Sequence, residues 1–146
     1  MATGVAGKKD RLKILRQYKP YFQDSITLMT KAKKGLKPEA LFDFAFISDL
    51  DHPKIEGVFN KSMKTFQNYS DRNTALDSGT SEKLLRLFAL YTKGAEVFGS
   101  VDAFNEWLSK PLLVMGKVAP HTMLDTITGI DLVNEELIRI EYGDLA

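Results

Sequence analysis

Apolar residues recur along this chain at helical spacing, and no stretch alternates in the way a half-buried strand does. The longest stripe is Leu84, Phe88, Tyr91, Ala95 and Phe98, stepping by four, three, four and three, and predicts the longest helix, opened by Thr80 or Ser81. Earlier segments predict shorter helices. Arg11 to Tyr18 reads as one, interrupted by Lys19-Pro20. Ser25 to Lys34 reads as a second, with Ile26, Met29 and Thr30 inward and Gly35 closing it. Pro38 opens a third with a stripe of Leu41, Phe42, Ala45, Phe46 and Leu50. Ile55, Val58 and Phe59 mark a fourth, starting near Pro53. After a corner at Asn60-Lys61, Ser62 caps a fifth that carries Met63, Phe66 and Tyr69.

The last third holds three further helical patterns separated by Gly and Pro. Ser100 caps the first, whose Phe104, Trp107 and Leu108 share a face and which Pro111 stops. Gly116 and Pro120 bracket a turn. Met123, Leu124 and Ile127 then predict a short helix ended by Gly129. Asp131 is expected to cap the final helix, with Leu132, Val133, Leu137 and Ile140 in the core and Gly143 at its end. The fold class is therefore all-α. Residues 1–24 read as a basic extension, disordered to about Asp10, residues 25–76 as a helix-turn-helix-like region, and residues 77–146 as a second helical region that includes the long connecting helix.

Composition is ordinary for a globular chain of 146 residues, 44% apolar and 27% charged. Without cysteine there are neither disulfides nor thiolate metal sites. No apolar run approaches the roughly 18 residues of a membrane span, and the basic N-terminus lacks a signal core, so a cytoplasmic protein is expected. Charge is unevenly placed. Residues 1–76 carry 14 basic and 8 acidic side chains, residues 77–146 carry 6 and 11. A basic front half suits phosphates, and an acidic back half suits a basic cleft on a partner.

Catalytic and metal chemistry finds no foothold. His52 and His121 stand far apart, Glu135, Glu136 and Glu141 lie on an amphipathic helix, and no phosphate loop, nucleophile elbow or zinc spacing occurs. A binding protein without cofactor or metal is expected. Three helices between Pro38 and Tyr69 with a tight corner before the last have the layout of a helix-turn-helix. In that layout Lys61, Ser62, Lys64, Thr65 and Asn68 meet DNA, the lysines at phosphates and Asn68 at an adenine edge.

The C-terminal landmarks, in order, are Glu96-Val97-Phe98-Gly99, Ala103 to Trp107-Leu108, Pro111, Gly116, Pro120, Leu124-Asp125-Thr126, Thr128-Gly129, Glu136-Leu137 and Ile140-Glu141-Tyr142-Gly143. This set resembles the toxin-binding domain of Xre/MbcA/ParS-type antitoxins. The loop Gly116-Lys117-Val118-Ala119-Pro120 departs from the two glycines and Thr-Pro that many members carry there. Ser62-Met63-Lys64-Thr65-Phe66 resembles the family's recognition helix, so that the likeness runs from about Ser25 to Ala146. The resemblance implies a cognate protein toxin of the RES-domain, NAD-consuming type, neutralised by occlusion, together with a homodimer that binds operator DNA and represses its own operon. Toxin contacts are then expected at Arg139, Tyr142, Gly143, Asp144, Leu145 and Ala146. The rival reading is a stand-alone helix-turn-helix regulator without a toxin.

Overall fold

The computed structural model describes residues 3–143, with side chains from residue 10 onward. Among the described residues the chain forms eight α-helices and no strand. They are α1 (Thr3–Tyr18), α2 (Ser25–Lys34), α3 (Glu39–Ser48), α4 (His52–Phe59), α5 (Met63–Asp71), α6 (Ser78–Phe98), α7 (Val101–Leu108) and α8 (Ile127–Glu141). Short 3-10 turns cover Lys19–Tyr21, Leu113–Met115 and Pro120–Met123. Six helices are capped by a side chain on their N-terminal amides: Asp24, Asp51, Ser62, Asp77, Ser100 and Thr126. Each such cap stabilises its helix by about 1 kcal/mol.

Helix α6 is the axis. It touches α1, α2, α3, α7 and α8, which explains why it is buried on more than one side, through Leu84, Leu85, Leu87, Phe88, Leu90 and Tyr91. Aromatic rings tie the neighbours to it. Tyr18 stacks on Phe88 at 4.1 Å between centroids, and Phe44 meets Tyr91 edge-on at 5.5 Å. Gly94 lets α7 close in, because a Cβ there would lie 2.4 Å from the Phe104 ring.

Several expectations are corrected. The segment 1–24, read as an extension, is helical from Thr3, and Leu15 is buried in the core. Arg11 docks it: Nε donates to the Phe46 carbonyl at 3.2 Å, and the guanidinium pairs with both Asp49 and Asp102. On α2 the inward residue is Ala32, with Leu28 half-buried, while Ile26 and Met29 face solvent, as Thr30 does. The small Ala32 lets α2 lie close along α6, and the chain past α2 is held there by Leu36 N–H donating to Ser81 Oγ. On α3 the buried face is Leu41, Phe44 and Ile47, with Phe42, Ala45, Phe46 and Leu50 only half-buried. α6 begins earlier than expected, capped by Asp77, so that Thr80 and Ser81 lie inside the helix and buried.

The largest correction is at α8. The helix expected around Met123 and Leu124 is a single 3-10 turn, and Gly129 does not end it. Gly129 lies in the first turn of α8, where Thr126 Oγ1 accepts its N–H at 2.9 Å. Its role is close approach: a Cβ at this position would sit 1.8 Å from the Met123 carbonyl oxygen. Asp131, expected as the cap, is an exposed residue within the helix.

Candidate functional site

Helix α8 is amphipathic in register with its burial. Ile130, Val133 and Leu137 point inward, three and seven residues from the first. Leu132, read as core, is a quarter-turn away from Val133 and is 43% exposed. It begins an outward stripe that runs through Glu135 to Ile138 and Arg139 and ends at Tyr142, which is 80% exposed. The helix end is anchored by Lys93 Nζ, which donates to Glu141 Oε1 at 2.5 Å, and that hydrogen bond raises the lysine pKa. Of the residues expected to meet a toxin, Arg139 is half-exposed and donates to Glu136 Oε2 at 3.4 Å, while Glu136 itself is buried. Gly143 turns the chain at φ 69°. Asp144, Leu145 and Ala146 lie outside the described residues.

A second exposed apolar feature lies between α7 and α8. Leu112 N–H donates to the Val118 carbonyl at 3.1 Å, and the loop so closed turns through Gly116 and Lys117, both at positive φ. Its tip presents Leu113 at 79% and Val114 at 72% exposure. The sequence signal for Leu132, Ile138, Leu113 and Val114 is the same. Each is a large apolar residue that the helical register or a Gly-closed turn keeps away from the core.

In the front region α4 and α5 follow one another around Asn60, which takes the left-handed conformation at φ 53°. Lys64 and Asn68 project outward from α5. Three other expected DNA contacts are engaged locally. Lys61 pairs with Asp77 at 3.5 Å, and Ser62 Oγ accepts the Thr65 N–H at 3.1 Å while its hydroxyl meets that of Thr65 at 2.9 Å. Glu56 Oε2 accepts the Met63 N–H at 2.7 Å, so a carboxylate already occupies the N-terminal end of α5.

Among the described residues no group of three His, Cys, Asp or Glu side chains is placed to hold a metal ion. Burial and the nearby Lys54 lower the His121 pKa. Trp107 is half-buried, tilted against Phe98 at 5.3 Å and stacked with Phe104 at 5.9 Å, so it serves as a core anchor. No helix among the described residues is long and apolar enough to cross a membrane.

Residues 93–143, from the second half of α6 to the end of α8, match the family described as the antitoxin Xre/MbcA/ParS C-terminal toxin-binding domain. The chain is 28% identical over 123 residues to a Sphingobium protein named Prs ADP-ribosylating antitoxin, an alignment covering 78% of this chain and 77% of the relative. It is 30% identical over 81 residues to the Antitoxin Xre of Pseudomonas putida, covering 56% of this chain and 51% of that protein. Over its C-terminal region, whose α7, connecting turns and α8 are the elements just described, this chain is thus similar to the toxin-binding domain of Xre/MbcA/ParS-type antitoxins.

Proposed function

We propose that the outward stripe of α8, continued by the residues after Gly143, binds and occludes the active site of a cognate toxin of the RES-domain, NAD-consuming type. The observation that carries this reading is the run of Leu132, Glu135, Ile138, Arg139 and Tyr142 on the solvent face of a helix whose other face is fully in the core. Apolar and aromatic side chains on a rigid helix are ordered before binding, so little entropy is lost on docking. The Sphingobium relative's name carries ADP-ribosylation, a transfer that takes its group from NAD, and this supports the toxin class. The chain acts on this reading as a binding protein, in the cytoplasm where such a toxin works. Co-expression with the neighbouring toxin gene tests it. Full-length protein is expected to co-purify with the toxin and restore growth, and a chain lacking Gly143–Ala146 to do so less well. Full protection by the shortened chain overturns the role of the tail, and absence of any complex overturns the antitoxin reading.

The same reading includes a homodimer that represses its own operon through α5, with Lys64 and Asn68 as the outward contacts and Lys61, Ser62 and Thr65 positioning the helix. Two recognition helices in a dimer call for half-sites about one DNA turn apart. Gel shift with the upstream DNA at two salt concentrations tests this, and loss of all binding even at low salt removes it.

A further inference from the structure

The segment from Lys31 to Lys37 carries four lysines in seven residues and no acid. Lys33, Lys34 and Lys37 are exposed, and among the described residues their side chains have neither an ion pair nor a hydrogen bond. Lys31 Nζ lies 4.4 Å over the Tyr21 ring, which supplies no countercharge. The dipole of α2 favours a cation at this end, which accounts for one or two of them. From Lys31 to Lys34 the helix rises only about 4.5 Å. That is less than the Debye length of roughly 8 Å at physiological salt, so the ammonium groups repel one another with little screening. Such self-repulsion works against the compact state, and a bound polyanion relieves it.

The fold carries this cluster to the end of α5. Leu76 N–H donates to the Leu36 carbonyl at 2.8 Å, and a Cβ on Gly35 would lie 2.5 Å from the Leu76 carbonyl oxygen. Lys34 and Lys37 therefore flank the point where the chain leaving α5 crosses the end of α2. Shortly before that point stands Arg72, the C-cap of α5, exposed and likewise without a side-chain partner among the described residues. Lys64, Asn68 and Arg72 follow one another at four-residue steps, along one side of α5. Nearby acids are engaged: Asp43 accepts from the Tyr18 hydroxyl, Asp71 from Gln67 Nε2, and Asp77 caps α6 and pairs with Lys61. Glu39, exposed at the start of α3, offsets one charge. The exposed apolar residues of α2 lie toward its other end, Met29 about one turn and Ile26 about two turns before Lys33. The lysines thus form a track of charge and not the flank of an apolar face.

We propose that Lys33, Lys34 and Lys37 neutralise phosphates of the duplex DNA that α5 meets, extending the contact along the sugar-phosphate backbone past Arg72. A duplex carries one negative charge for about every 1.7 Å of its axis, and flexible ammonium groups meet such a row without a defined side-chain geometry. These contacts carry no sequence information and add affinity to any duplex. The choice of ligand rests on the DNA reading of α5.

Fluorescence anisotropy of the full chain with the upstream DNA and with an unrelated duplex, between about 50 and 200 mM salt, tests it. The variant combining Lys33→Ala, Lys34→Ala and Lys37→Ala changes only exposed positions and should keep its helical circular dichroism. Over that salt range the wild type should lose about 40-fold more affinity than this variant, the share of three phosphate contacts at a slope of about 0.9 each, and equally on both duplexes. Arginine at the same three positions should restore wild-type behaviour. Unchanged salt sensitivity in the alanine variant, or arginines that fail to restore it, overturns the proposal. Lys64→Ala keeps the two readings apart. A reduced salt response there, with none in the alanine variant, removes the lysine track and leaves α5 standing; the reverse supports the track and removes α5. Wild-type binding to phosphatidylserine–phosphatidylcholine vesicles but to no duplex would overturn the proposal and assign the lysines to a lipid surface.

Discussion

The ammonium of Lys83, on α6, donates to the main-chain carbonyl of Asp125 across 2.6 Å, immediately before the cap of α8. The same nitrogen donates to the Val58 carbonyl at 2.8 Å, near the end of α4. One side chain thus joins the front helices to the start of the candidate toxin-binding helix. Burial lowers its pKa, with Asp125 pulling the other way. Lys83→Met keeps the stem and removes both bonds. A loss of about 1–3 kcal/mol is expected, read as a lower urea midpoint. An unchanged midpoint would show that water replaces the ammonium at no cost.

Arg11 makes a comparable link for α1. With 12% of its side chain exposed, it joins α1 to the end of α3 and the start of α7. Arg11→Met is expected to cost about 2 kcal/mol, because the Phe46 carbonyl and the partly buried Asp102 lose a charged donor. Thermal unfolding checks this, and a wild-type midpoint would show α1 to be dispensable to the packing.

Asp77 gives a pH dependence of defined sign. Burial raises its pKa, but the Thr80 amide and hydroxyl and the Lys61 ammonium together outweigh that and hold it below its ordinary value of 3.8. A carboxyl depressed in the fold stabilises above the unfolded value, and this contribution is lost as pH falls through the folded one. Asp77→Ala should therefore cost about 1 kcal/mol at neutral pH, with the difference from wild type shrinking below pH 4. A pH-independent difference in chemical denaturation would assign the effect to helix propensity instead.

Leu132→Asp and Ile138→Asp test the outward face of α8. Both positions are solvent-exposed, so each variant should keep its helical circular dichroism while binding toxin at least tenfold more weakly, a loss of about 1.4 kcal/mol or more. Undiminished affinity in both would move the interface elsewhere, with the Leu113 and Val114 loop the next face to alter.

If α5 contacts DNA as proposed above, Lys64→Ala should weaken operator binding evenly across sequences and reduce its salt dependence by about one ion. Glu56→Gln should strengthen it, because the carboxylate at the start of α5 repels a phosphate approaching the same helix end. Gel shifts over a salt series would separate the two, and an unaltered affinity in both would exclude α5 as the contacting helix.

Local signals carried much of this architecture into the sequence. Ser62 and Ser100 cap where their spacing to the apolar residues predicts, and Phe104 and Leu108 are buried at the start and end of one face. Legibility fails where a distant partner decides. α2 offers two apolar stripes, and α6, far along the chain, selects the one with Ala32 over the one with Ile26 and Met29. Thr128-Gly129 has the appearance of a helix end because glycine is common there. The close Met123 carbonyl that demands glycine becomes evident only once the chain has folded back. The docking of Arg11 between Asp49 and Asp102 likewise joins residues whose nearness no periodicity encodes.

That missing side chain at position 129 bears on how relatives are compared. With a backbone oxygen 1.8 Å from where a methyl would go, every chain that seats its last helix on the same turn must keep glycine in this column, whatever protein it neutralises. Invariance there would record a shared hinge-free joint. On the toxin-binding reading proposed above, diversity at Leu132, Ile138 and Tyr142, whose side chains are exposed, would instead trace which partner each lineage answers to.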